Sequence, residues 1–123
     1  MSEAGHGGRE WRFYVQDMIE FCGRVSDYTA GLDQTIFFAS KITYDATLRN
    51  LELIGEAATH VPEEVRDKYP DIPWGSIIGA RNQLAHGYMR MDENLVWTMI
   101  EDGIPSLLPQ LQNLLLTETE DST

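Results

Sequence analysis

Apolar residues in this chain return every third or fourth position, and no stretch alternates apolar with polar side chains. A period near 3.6 lines one face of a helix, whereas a strand needs a period of two. The pattern therefore confines the chain to an all-α architecture. Trp11, Tyr14, Met18, Phe21, Val25 and Tyr28 form the first stripe, widened by Val15 and Cys22, with Gly31 placed to cap it in the left-handed conformation. A connecting stretch follows, with room for one helical turn. Asp45 or Thr43 is then the expected cap of a second helix, whose stripe is Leu48, Leu51, Ile54, Ala58 and Val61. Gly55, Ala57 and Ala58 thin the middle of that helix enough to admit another at close range. Pro62, Pro70 and Pro73 limit the next segment to a short helical turn over 63–68 and an extended link. A third helix is predicted over 74–86 with Gly87 as its stop, and a fourth from a cap at Asp92, kinked at Pro105. The expectation is an up-and-down bundle of four main helices, with residues 1–8 as a tail, 9–117 as the domain and 118–123 as a polar tail.

Charge narrows the function. Twenty acidic against nine basic residues give a net charge of −11, which repels nucleic acid and anionic membranes in bulk. Any action on RNA then has to come from a local positive site or from dimer symmetry. The single cysteine, Cys22, excludes an internal disulfide, and its place on an apolar stripe reads as core rather than nucleophile. The start has no apolar segment of a secretory signal, and no apolar run approaches the ~18 residues of a membrane span, so a cytoplasmic protein is expected. His6 in the Gly-rich start and His60 at the end of the second helix carry no chemical pattern.

One segment does, "GARNQLAHGYMRMD", residues 79–92. Asn82 and His86 stand four apart and share a helix face. Arg81 is five from His86, roughly 140° around an ideal helix, a gap that a long guanidinium side chain can span. Histidine moves protons near neutral pH, and arginine grips a phosphate through two hydrogen bonds. No cluster with metal spacing and no neighbouring carboxylate accompanies them in sequence, so neither a metal nor a cofactor is expected. Arginine plus histidine suits RNA cleavage, in which the substrate's own 2′-hydroxyl is the nucleophile. Spacing alone leaves the plain alternative ahead: a histidine at a helix end and an arginine in a surface ion pair.

The segment "RNQLAHGY" resembles the Arg-x4-His-x-Tyr motif of the HepT family, a branch of the HEPN domains, and the likeness extends over roughly residues 11–116, including "DATLRNLELIGEAATHVPEEVRDKYPDIPW". The resemblance implies an all-α HEPN homodimer whose two motifs share a cleft. It implies an endoribonuclease toxin paired with a small nucleotidyltransferase antitoxin, MntA, which transfers AMP from ATP to the motif tyrosine. On this chain Arg81 and His86 become the catalytic pair, Asn82 a supporting residue and Tyr88 the modified one. Arg49 and Glu52 match the family stretch without a role. The alternative from the same resemblance is a silent HEPN module that only binds a nucleotidyltransferase.

Overall fold

The computed structural model describes the backbone of residues 3–87 and 92–121, and the side chains of 10–85 and 92–118. Among these residues there is helix and no strand. The helices are α1 (Glu3–Thr29), α2 (Gln34–Ala39), α3 (Lys41–Ala58), α4 (Glu63–Lys68), α5 (Trp74–Gly87), α6 (Glu93–Thr98) and α7 (Ile104–Asp121), with a π-helical turn over Met99–Gly103 joining α6 to α7. The four main helices are α1, α3, α5 and α7. α3 is central and packs against both α1 and α5, while α7 packs on α1. None of the described helices is long and apolar enough to cross a membrane.

The stripe of α1 is rotated from the sequence expectation. Trp11, Val15, Met18, Cys22 and Val25 are buried, Tyr14 and Phe21 flank the core, and Tyr28 is exposed. Tyr14, Phe21 and Tyr28 mark the helical period in sequence, but beyond Trp11 it is the smaller side chains at the same period that are buried. Gly31 does take a positive φ, 75°, just beyond the end of α1. α1 itself begins at Glu3, so its backbone includes most of the stretch expected to be an N-terminal tail.

The connecting stretch is a complete small helix. Asp33 caps α2 by accepting from the Ile36 N–H at 2.8 Å, and Phe37 is fully buried among Phe38, Tyr44 and Trp97. α3 therefore starts earlier than Thr43 or Asp45 would allow. Its cap is Ser40, whose hydroxyl accepts from Thr43 N–H at 3.4 Å. Asp92 caps α6 as expected, accepting from Asn94 N–H at 2.8 Å.

At Pro105 the chain winds wider. Proline has no N–H to return to the preceding turn, and its ring strikes the carbonyl four residues back. The π-turn accommodates both defects, with Ile104 N–H donating to the Met99 carbonyl five residues earlier. Pro109, four residues on along the same exposed face, is carried inside α7.

α7 also runs past residue 117. Glu118 is 7% exposed. Its carboxylate accepts from the Tyr69 hydroxyl at 2.8 Å and lies 3.6 Å from Lys68 Nζ, and its carbonyl accepts from Arg12 Nη2 at 3.2 Å. The helix ties α1, the α4–α5 link and the C-terminal end together where a polar tail was expected.

Candidate active site

α5 carries the motif, and its position is set at both ends of the described segment. At its start Trp74 is buried and its indole N–H donates to the Tyr69 carbonyl at 3.1 Å. Along its length Leu84 is buried against α3, 1% exposed. Between these points α5 crosses α3 at Gly55. A Cβ at Gly55 would overlap the Cβ of Arg81 and come within 2.9 Å of the Ile77 carbonyl oxygen. Glycine is required there because backbone and side chain of α5 occupy the space.

That crossing places Arg81 in the seam between α3 and α5. Its Nη2 donates to Glu56 Oε1, and its Nη1 donates to Asn82 Oδ1 at 2.8 Å. Glu56 Oε2 lies 3.5 Å from His60 Nε2, and the His60 ring stacks on Tyr14 with centroids 4.3 Å apart and planes 13° apart. The Arg81 hydrogen bond, foremost among the influences and opposed by partial desolvation, holds the Glu56 carboxyl below the usual carboxylate range. The arginine therefore faces a carboxylate after all. Glu56 is twenty-five residues away in sequence and becomes a neighbour only through the Gly55 crossing. Its one advance signal was adjacency to Gly55.

Asn82 is exposed and belongs to the helix ridge that reaches His86 one turn later on unbroken helical backbone. Its bond to Arg81 draws the guanidinium from the seam toward that ridge. The His86 side chain and all of Tyr88 lie outside the described residues. Arg49 and Glu52 pair with each other at 3.2 Å and, with Asp45, Leu48 and Leu84, line a cleft of about 250 Å³ on the same α3–α5 seam. Cys22 takes no part in the site: it is fully buried, and desolvation pushes its thiol pKa up to about 12.

Comparison with known proteins identifies the chain's family. The family profile described as ribonuclease HepT-like matches residues 18–114. A protein of Methanocaldococcus jannaschii named as a candidate RNase is 30% identical over 104 residues, covering 85% of this chain and 95% of that one. A protein of Thermococcus cleftensis named "Probable ribonuclease HepT" is 30% identical over 106 residues, 86% of this chain and 96% of its own. A candidate RNase of Caldanaerobacter subterraneus is 31% identical over 107 residues, 87% and 96% respectively. No solved structure matches the chain.

Proposed function

The chain belongs to the HepT-like ribonuclease family, and from that premise we propose that it is the endoribonuclease toxin of a toxin–antitoxin pair, acting in the cytoplasm as a homodimer. The geometric observation in support is Arg81, bonded to Asn82 and so drawn toward the ridge that leads to His86. In the reaction, the 2′-hydroxyl of RNA attacks the adjacent phosphorus as its proton passes to a base. The 5′-oxygen leaves as it takes a proton from an acid. His86 fills the base or acid role, and its counterpart in a second copy fills the other. Arg81 stabilises the charge that builds on the phosphoryl oxygens. The products are a 2′,3′-cyclic phosphate and a 5′-hydroxyl, with no metal required.

Control falls to Tyr88. A nucleotidyltransferase partner of the MntA kind joins AMP from ATP to its phenol oxygen, releasing pyrophosphate. The added phosphate charge then competes with RNA for Arg81.

A second reading, a silent binding module, draws support from the net charge of −11. Incubating the purified chain, Arg81→Ala and His86→Ala with a fluorogenic RNA in EDTA separates the two. The expected outcome is metal-independent cleavage to cyclic phosphate by the wild type and a loss on the order of 100-fold or more in either variant. Intact RNA in every tube supports the binding module, and cleavage abolished by EDTA removes the proposed chemistry.

A further inference from the structure

Arginine offers five N–H donors in a planar fork. In Arg81 one goes to Glu56 Oε1 and one to Asn82 Oδ1, from two different nitrogens. Among the described residues nothing takes the other three, enough for the paired bonds that grip a phosphodiester. The stem is pressed against α3 at Gly55, so the two acceptors set the plane of the guanidinium. Glu56 is itself held from behind, by His60, which stacks on Tyr14 of α1. Three helices thus converge on the orientation of one side chain that is 34% exposed.

We propose that Glu56 is the positioning residue of the site: it fixes the Arg81 guanidinium in the plane from which its free N–H groups meet the scissile phosphate. This rests on the reading of Arg81 given above. Glu56 neither touches RNA nor moves a proton. Its carboxylate is also a negative charge beside a bound anion. It therefore weakens ground-state binding while aligning the group that stabilises the transition state. Removing it separates the two effects, which loss of a merely structural ion pair does not do.

The experiment compares wild type, Glu56→Gln, Glu56→Ala, Arg81→Ala and the Glu56→Ala/Arg81→Ala double variant. Cleavage of a fluorogenic RNA gives kcat and KM, and fluorescence anisotropy with an uncleavable 2′-O-methyl oligonucleotide gives binding. In Glu56→Ala, kcat falls about 10- to 100-fold, the scale on which misplacing a catalytic group by an ångström acts. KM and the oligonucleotide Kd stay level or improve. Glu56→Gln, which keeps an acceptor for Nη2 but no charge, retains more of kcat. The double variant is no slower than Arg81→Ala, because Glu56 acts only through Arg81. Should the alanine variant unfold, Glu56→Gln carries the same kcat and Kd comparison.

Unchanged kcat in Glu56→Ala beside an inactive Arg81→Ala overturns the inference and leaves the reading of the site standing. So does a faster Glu56→Ala, which would make the carboxylate a mask over Arg81, or a double variant slower than Arg81→Ala. Arg81→Ala cleaving like wild type, or a wild type that leaves RNA whole, overturns the reading of the site and the inference with it.

Discussion

At the scale of single residues, the site turns on a hydrogen atom. Gly55 allows α5 to lie on α3 so closely that Arg81 emerges beside Glu56, whereas a methyl group added at Gly23 in α1 would meet nothing within 4 Å. The two glycines therefore predict opposite results for the same change. Gly55→Ala forces the helices apart and costs about 1–3 kcal/mol, the range of an overpacked core. Gly23→Ala gains about 0.5–1 kcal/mol from helix propensity and a less flexible unfolded chain. Urea melts of the two variants measure this directly, and a stabilised Gly55→Ala would contradict the crossing. Cys22 gives a pH prediction. Its folded pKa, about 12, lies above the ordinary thiol value of 9.0. Its contribution to stability is thus complete below pH 9 and lost as pH climbs from there toward 12. Ellman's reagent at about pH 8, below the ordinary thiol pKa, should leave native Cys22 unmodified and label it fully in denaturant; rapid native labelling would place the thiol elsewhere. Sequence joined Arg81 to His86, gave Asn82 a supporting role and marked Gly55 as thin. It could not show Glu56, because a carboxylate among twenty acidic residues becomes significant only when a tertiary crossing selects it.

At the scale of elements, sequence was legible wherever one local rule acts alone. Gly31 beyond α1 and the Asp92 cap are each fixed by one residue's conformational or hydrogen-bonding preference, and the short turn over 63–68 that became α4 is bounded by prolines. It was poorly legible where two rules compete. Ser40, Thr43 and Asp45 are all good caps, and burial of Phe37 beside Tyr44 is what accompanies the choice of Ser40. Pro105 forbids an ordinary turn without saying which irregular turn replaces it, and a π-turn does so. The end of α7 departs furthest from expectation, since Thr117 to Asp121 is polar in composition yet Glu118 is buried by partners from three other segments. That element carries its own prediction. Tyr69→Phe deletes the 2.8 Å hydroxyl bond to the Glu118 carboxylate without changing the ring. A hydrogen bond to a charged, buried group contributes about 1.5–3 kcal/mol, so the midpoint of denaturant unfolding should move down accordingly. A variant melting with the wild type would mean that Lys68 alone satisfies the carboxylate.

At the scale of the whole molecule, charge and proposed substrate oppose each other, and salt reveals which governs. A net charge of −11 spread over the surface repels an RNA strand at long range. In the proposed site the attraction is local, chiefly the guanidinium of Arg81. Long-range terms are screened first, since the Debye length falls from about 30 Å at 0.01 M salt to about 10 Å at 0.1 M. Raising salt over that interval should therefore weaken the repulsion more than the contact and speed association. A basic RNA-binding protein shows the reverse, with affinity falling steeply as counterions are released. Each phosphate neutralised on a single strand contributes a slope of about −0.7 in log affinity against log salt, so a site built on one or two arginines has a shallow slope at higher salt. Stopped-flow mixing with an uncleavable RNA oligonucleotide should show an association rate that rises from about 0.01 to about 0.1 M salt and a weak decline in affinity beyond it. A rate that falls steeply from the lowest salt upward would instead require an extended basic surface for RNA, which a chain with nine basic residues against twenty acidic ones is poorly equipped to provide.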